Sequence, residues 1–202
     1  MIILVLQKLL ITDRDCKCMN LIITGNPGVG KHTTANLLKK QIVSYQILDI
    51  SEFAIERNMG EKVENGIEID TIKLKDEIQK MITDNSLIVG HLAPYVFEES
   101  KIDLVIVLRK NPYDLLEIYK QREYQDSKIK ENAGSEVLGI IANDSIKSFG
   151  KEKTFEIDAT GKMPEKIVEE ITQIIKNKKG KSAVDWLTLV EEKNDMSRFF
   201  DY

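Results

Sequence analysis

Several residue types are scarce in this sequence, and each scarcity excludes a class of protein. Only two cysteines occur in 202 residues, and Cys16 and Cys18 are too close together to form an ordinary disulfide framework. With only two histidines in the chain, no cluster of cysteine and histidine completes a zinc site. We interpret the cysteines as free thiols in a reducing cytosol.

Arginine is also scarce, although lysine is abundant. The five arginines are Arg14, Arg57, Arg109, Arg122 and Arg198. Because bidentate phosphate clamps favour arginine, each of them is a candidate for phosphate recognition. The formal net charge of −4 argues against a surface that binds nucleic acid throughout, and leaves a local basic patch open.

No apolar run is long enough to cross a bilayer. The most hydrophobic stretch, residues 1–11, is too short for a membrane-spanning helix and is interrupted by Gln7 and Lys8. It also lacks the basic start and cleavage site of a secretory signal. Because Met19 lies directly before the first predicted strand, we interpret residues 1–18 as an extension upstream of the functional start. A short membrane or partner anchor is the alternative.

Short apolar runs alternate with helical patterns along the rest of the chain. This alternation predicts β-α-β units, and therefore an α/β fold with a central parallel sheet of about five strands between two helical layers. The predicted strands are residues 20–24, 46–49, 86–89, 103–108 and 153–157. In such sheets ligands bind beyond the carboxyl ends of the strands, where every candidate site residue lies.

Local signals also place the segments between the strands. Ser51 is predicted to cap a short helix that ends near Arg57, and Asp70 to cap the next helix. The polar residues 58–70 are predicted to form a loop. After a charged stretch, a long helix is predicted to end near Phe149.

Residues 25–31 read Gly-Asn-Pro-Gly-Val-Gly-Lys and fit the motif G-x-x-x-x-G-K. The segment follows a predicted strand and begins a predicted helix, which is the context that the motif requires. Gly28 and Gly30 let backbone N–H groups point at phosphate oxygens, beside the positive end of the helix. Lys31 would reach the β- and γ-phosphates. The sequence therefore predicts a P-loop NTPase fold that binds ATP.

The residue after the motif lysine is His32, where a serine or threonine hydroxyl usually contacts Mg²⁺. Imidazole is a poor ligand for this hard cation. We expect His32 to offer its backbone N–H and Thr33 to supply the phosphate-contacting hydroxyl, since adenylate kinases commonly carry G-K-G-T here. Mg²⁺ would accompany ATP, held by phosphates and water without a direct protein ligand.

The order and spacing of several segments resemble the adenylate kinase isoenzyme six family. Members of this family are archaeal and eukaryotic nuclear-type kinases with ATPase activity. The resemblance covers roughly residues 20–175 and is carried by Gly25–Thr33, the short segment 49–70, Val89-Gly90-His91, Leu108-Arg109, and Gln121–Asn132 leading into Glu136-Val137-Leu138.

The resemblance implies a nucleoside-monophosphate kinase that converts ATP and AMP to two ADP and also hydrolyses ATP. It implies a domain at residues 19–178, with a monophosphate-binding segment near 49–70 and a lid near 121–131, and a tail at 179–202. It further implies late small ribosomal subunit maturation and rRNA processing, in the cytoplasm or, in a eukaryote, the nucleus. The implied partners are a ribosomal protein of the subunit platform and the pre-ribosomal particle.

Other functions stay open at this point. The chain could be mainly an ATPase-switch assembly factor with weak kinase activity, or a kinase for another small hydroxyl-bearing substrate. We expect a monomer or weak dimer.

By resemblance, Lys31, His91 and Arg122 are the catalytic residues, and Arg122 in the lid also contacts ATP. From the sequence alone, His91 could instead be a packed or solvent-facing loop residue, and Arg122 a solvated residue. Ser51 and Arg57 are candidates for binding the monophosphate.

Arg109 is a further candidate for the monophosphate site, because it ends a strand at the catalytic edge. A structural ion pair is its alternative role.

The chain departs from the family pattern in three places. The family motif D-x-H reads Val89-Gly90-His91, so the carboxylate that orients Mg²⁺ through water is missing. Glu123 replaces the glycine that usually follows the lid arginine. The arginine expected two places after Ala54 is also absent, although Arg57 lies next to that position.

The tail carries aromatic residues, which dock either on a partner or on the protein's own core. We expect Trp186 to dock on the core, and we consider Phe199 and Phe200 as contacts for a partner.

Overall fold

A computed structural model of the protein describes residues 19–63, 66–180 and 183–201. The extension predicted at residues 1–18 lies outside the described part. In the described ranges, no helix combines the length and hydrophobicity that crossing a membrane requires.

The predicted parallel sheet is confirmed. The strands are β1 (Leu21–Thr24), β2 (Gln46–Asp49), β3 (Gly60–Val63), β4 (Gly66–Ile69), β5 (Ser86–Val89), β6 (Leu104–Arg109) and β7 (Thr154–Asp158). Five of them form the main sheet in the order β2-β5-β1-β6-β7, with every neighbouring pair parallel. With the P-loop strand β1 in the middle, the ends of β2, β5 and β6 lie around the phosphate loop.

Helices cover both faces of this sheet. They are α1 (Lys31–Lys39), α2 (Ile50–Glu56), α3 (Thr71–Ile78), α4 (Ala93–Val96), α5 (Pro112–Gln121), α6 (Asp126–Leu138), α7 (Ile140–Phe149), α8 (Pro164–Asn177) and α9 (Trp186–Glu192). Alternate strand residues face opposite sides, so Ile23 and Ile106 belong to one core cluster, and Ile22 and Val105 to the other. Burial on both faces explains why the central strands β1, β5 and β6 read as nearly continuous apolar runs.

Two local predictions from sequence were wrong. Asp49, not Ser51, caps α2, since its side chain accepts from the backbone N–H groups of Ser51 and Glu52. The polar residues 58–70 are not a simple loop, because β3 and β4 pair there as an antiparallel hairpin.

The predicted long helix is also wrong, because it is broken between α6 and α7. Gly139 at the break has a φ of 63°, a left-handed conformation that favours glycine. A Cβ atom there would lie 3.2 Å from Nη1 of Arg109. The break therefore leaves room for the Arg109 side chain beside the end of α6.

Candidate nucleotide-binding site

The loop at residues 25–31 connects β1 to α1 in a shape that depends on glycine. Gly28 and Gly30 have φ angles of 85° and 98°, which other residues adopt only with strain. At Gly25, a Cβ atom would lie 2.3 Å from the carbonyl oxygen of Leu108. Sequence and geometry thus agree on a phosphate-binding loop at the start of α1.

Lys31 is buried within this loop. Its Nζ donates to the carbonyl oxygens of Gly25 and Asn26, both at 2.9 Å. The pKa of Lys31 is lowered to about 8, because burial and the positive charge of Arg122 outweigh the opposing effects of Asp49 and Glu136. The amine of Lys31 is therefore largely shielded from water and surrounded by charged groups, so a bound anion would readily change its protonation.

His32 and Asp49 meet beside the loop. The Nδ1 atom of His32 lies 2.8 Å from Oδ2 of Asp49, while the His32 side chain is 59% exposed. The other oxygen of Asp49 accepts from the backbone N–H groups of Ser51 and Glu52, at 2.9 and 3.1 Å. From the sequence, Asp49 was expected only as the start of the monophosphate-binding segment, although a strand that ends on a carboxylate was a usable signal. Thr33, the predicted phosphate contact, is exposed in the first turn of α1.

His91 and Arg122 are also near Lys31. His91 follows β5, and burial together with the positive charges of Lys31 and Lys128 lowers its pKa to about 4. Its imidazole is therefore neutral at pH 7. Arg122 forms the exposed end of α5, and its charge acts on Lys31. Of the three residues predicted to be catalytic, Lys31 thus interacts electrostatically with both of the others.

The predicted lid begins at a strained turn. Glu123 has a φ of 56°, in the region where glycine is favoured. This is the position at which the family resemblance expects glycine, so the substitution has a conformational cost of about 1 kcal/mol or more. Helix α6, whose first residues belong to the predicted lid, then begins at Asp126.

The predicted monophosphate contact by Arg109 is wrong in this structure, and the ion-pair alternative fits. The buried guanidinium pairs with Glu136, where Nε lies 2.8 Å from Oε1, and with Glu156. Nη2 also donates to the carbonyl oxygen of Glu136 at 2.7 Å. Acceptors within the protein therefore occupy the groups that would clamp a phosphate.

Ser51 and Arg57 stay candidates for the monophosphate site. Ser51 lies in the first turn of α2, at the carboxyl end of β2. Arg57 ends the same helix, with its guanidinium carbon 5.3 Å from the ring centroid of Phe53. Arg57 and Lys73 line an open polar cavity of about 530 Å³ near the β3–β4 hairpin. Two carboxylates, Glu68 and Asp70, line the same cavity, and Asp70 pairs with Lys73 at 3.2 Å, so the charges of the lining balance.

The tail docks on the core, as predicted for Trp186, whose Nε1 lies 3.1 Å from Oε1 of Glu136. Partner contact by Phe199 is wrong, since this ring is 1% exposed and packs edge-on against Tyr113. Phe200 is partly buried against the same core cluster and approaches Gly134. The apolar contacts of these two rings are thus made inside the protein.

Similarity to known proteins agrees with this geometry. Residues 21–139 match a family model described as an AAA domain. Proteins named "Putative adenylate kinase" from Thermococcus kodakarensis and Pyrococcus abyssi are each 35% identical over 177 residues, which is 86% of this chain and 96% and 94% of the relatives. The protein of the same name from Saccharolobus solfataricus is 35% identical over 172 residues, covering 84% of this chain and 88% of the relative.

Solved structures with a related shape include two kinases. Shikimate kinase from Aquifex aeolicus aligns with a TM-score of 0.48 and 18% identity, covering 88% of this chain and 99% of that protein. Thymidylate kinase from Candida albicans aligns with a TM-score of 0.46 and 15% identity, covering 79% and 91%. These distant likenesses have no bearing on the substrate.

Proposed function

Because the chain belongs to the adenylate kinase-like family of P-loop proteins, we propose that it transfers the γ-phosphoryl group of ATP to AMP or a related nucleoside monophosphate. The observation that carries the proposal is the set of groups around Lys31. This buried ammonium group lies in a glycine loop at a helix N-terminus. The charge of Arg122 lowers the pKa of Lys31, and the charge of Lys31 lowers the pKa of His91.

Lys31 has the central role in the proposed reaction. In the structure its Nζ donates to two carbonyl oxygens of the loop. Phosphate oxygens would replace these acceptors and favour the charged form of the amine. Phosphoryl transfer requires mainly positioning and neutralisation of charge, which Lys31 supplies with Arg122. His91 is neutral at pH 7, so it can donate a hydrogen bond without adding charge. We assign no general base.

The groups at the loop fit a Mg²⁺ ion that is held by phosphates and water. Thr33 offers an exposed hydroxyl, and Asp49 offers a carboxylate at the same edge of the sheet. The side chains of His32 and Val89 supply no oxygen. Mg²⁺ usually keeps several waters, and Asp49 would orient them. When bound, the ion would neutralise phosphate charge.

We place the acceptor monophosphate beside α2. Ser51 in its first turn and Arg57 at its end would contact the phosphate. A polar cavity with room for a ligand lies next to Arg57, and because Glu68 and Asp70 also line it, Arg57 itself would supply the contact to phosphate.

The test is an assay of ADP release with ATP and Mg²⁺, in the presence and absence of each common nucleoside monophosphate. We expect AMP to accelerate ADP release, and Lys31→Ala to abolish it in a protein that still unfolds cooperatively. An equal rate with and without every monophosphate would contradict the kinase proposal.

A second candidate is an ATPase switch in the maturation of the small ribosomal subunit. The absence of a carboxylate at Val89 and the strained Glu123 favour slow chemistry, which suits a switch better than a metabolic kinase. A pull-down with purified platform ribosomal proteins, at low salt and with or without ATP, tests it. Retention of no platform protein in either condition would leave the kinase as the better account. Because Phe199 is buried, binding through the lid side is expected.

A further inference from the structure

Glu136 is a charged residue that is fully buried in the described structure, at 0% exposure. Its two carboxylate oxygens accept hydrogen bonds from three separate parts of the chain. Asn26 Nδ2 of the phosphate loop donates to Oε2 at 2.7 Å. At the end of β6, Arg109 Nε and the backbone N–H of Lys110 donate to Oε1 at 2.8 and 3.0 Å. Trp186 Nε1 of the tail donates to the same oxygen at 3.1 Å.

We propose that Glu136 is a positioning residue that holds the phosphate loop in its nucleotide-binding shape, and that the C-terminal segment supports this shape through Trp186. The inference rests on the proposed binding of a nucleotide at this loop. The tail would then have a function in the enzyme itself, beyond the docking on the core or on a partner that was expected of its aromatic residues.

The contact with the loop is direct and leads to Lys31. Asn26 is buried, and its side chain lies between Glu136 and the Oγ of Ser135, which is 3.2 Å from Oδ1. The backbone oxygen of Asn26 is one of the two acceptors for Lys31 Nζ. A shift of the Glu136 carboxylate would therefore move the peptide group that Lys31 contacts.

The charges around Glu136 also support a role for this residue in holding the phosphate loop. Arg109 pairs with Glu156 as well as with Glu136, so two carboxylates face one guanidinium group. The negative charge of Glu136 also acts on Lys31 and partly offsets the effect of burial on its pKa. Neutralising Arg109 is therefore only part of what Glu136 does, because the same charge stabilises the charged form of Lys31.

The tail reaches this cluster at two points. Besides the bond from Trp186, the carbonyl oxygen of Val184 accepts from Nη1 of Arg109 at 3.4 Å. Further along, Val190 and Phe199 are buried in the core cluster that also contains Val29 of the loop. The segment that follows the polar contact with Glu136 and Arg109 is thus fixed on the core.

The test compares two aromatic substitutions in the full-length protein, each of which removes one hydrogen-bond donor. Trp186→Phe keeps an aromatic ring but removes the donor to Glu136. Tyr113→Phe is the matched control, because it removes another hydrogen bond to the tail, from Tyr113 Oη to Asp195 Oδ2 at 3.0 Å. The readouts are the Kd for ADP by calorimetry, the KM values for ATP and AMP, and Tm.

We expect Trp186→Phe to raise the Kd for ADP and the KM for ATP by about three- to tenfold, the effect of losing one hydrogen bond. The KM for AMP should stay unchanged. Tyr113→Phe should lower Tm by about as much as Trp186→Phe does, but it should leave the Kd for ADP unchanged. Glu136→Gln should weaken ADP binding by about tenfold or more, since an amide cannot accept from all four donors.

Equal Kd values for ADP in the Trp186→Phe and Tyr113→Phe proteins would overturn the inference, because the network would then serve stability alone. This comparison stands even if Glu136→Gln does not fold. Failure of the wild-type protein to bind ADP would instead overturn the proposed function.

Discussion

Asp49 lies directly opposite Val89 in the parallel pairing of β2 with β5. Its carboxylate is also 2.8 Å from the imidazole of His32, the residue at the motif position where a hydroxyl is usual. The two departures from the usual loop chemistry, at His32 and Val89, are therefore both next to Asp49. A carboxylate is present at this edge of the sheet, one strand away from the position where the family resemblance expects it.

We predict that Asp49→Asn reduces turnover by about ten- to hundredfold at low Mg²⁺, as loss of an outer-shell metal partner commonly does. The defect should become smaller at high Mg²⁺. Asparagine is as good a helix cap as aspartate, so Tm should change little. Turnover measured against Mg²⁺ concentration checks the prediction.

Asp70→Asn is the control for Asp49→Asn, because Asp70 caps α3 in the same way, accepting from Ile72 and Lys73. We expect an unchanged dependence on Mg²⁺ in this variant. If both variants respond equally to Mg²⁺, Asp49 has no special relation to the metal.

Restoring the aspartate of the family motif should be harmful here. Val89 is 1% exposed and belongs to the core cluster of α1 and β6. We expect Val89→Asp to lower the free energy of unfolding by several kcal/mol, because an unpaired charge is buried. Val89→Thr, which has nearly the same shape, is the control in urea unfolding. Equal stability of the two variants would mean that position 89 can turn towards the nucleotide site.

Binding of ADP should weaken above about pH 8. The pKa of Lys31 is lowered to about 8 by burial, so the free protein loses this proton at higher pH, whereas bound phosphate would retain it. We expect the Kd for ADP to rise by up to about tenfold per pH unit above that point. Lys31→Arg, which keeps its charge, should show a flat profile over the same range. A flat profile for the wild type would contradict the lowered pKa.

The sequence was sufficient for the phosphate loop because the determinants of that loop are local. The loop is formed by neighbouring residues, Gly28, Gly30 and Lys31, at the start of one helix. The motif and its position between a strand and a helix were therefore enough to predict the loop. The parallel sheet was predictable for a similar reason, since strands buried on both faces must be apolar along their whole length.

The rest of the site depends on contacts between distant residues. Arg109 ends a strand at the expected edge, but its partners Glu136 and Glu156 are 27 and 47 residues away in sequence. Asp49 gains its importance from the register of two strands that are separated by α2, a hairpin and α3. No local pattern distinguishes an arginine held in buried ion pairs from a free one, or a carboxylate that only caps a helix from one that also contacts His32.

The stability of the fold should depend on His91 in mildly acidic solution. The pKa of His91 is lowered to about 4, mainly by burial and then by the charge of Lys31. Below pH 6.5, His91 therefore binds a proton in the unfolded chain, whereas in the folded protein it stays neutral until the pH approaches 4. The free energy of unfolding is therefore unaffected by His91 above pH 6.5 and decreases as the pH falls from 6.5 towards 4. Between pH 7 and pH 5, His91 should account for a loss of about 2 kcal/mol in the free energy of unfolding. In urea unfolding at the two pH values, His91→Asn should lack this part of the loss, and equal losses in variant and wild type would place His91 in water rather than in the site.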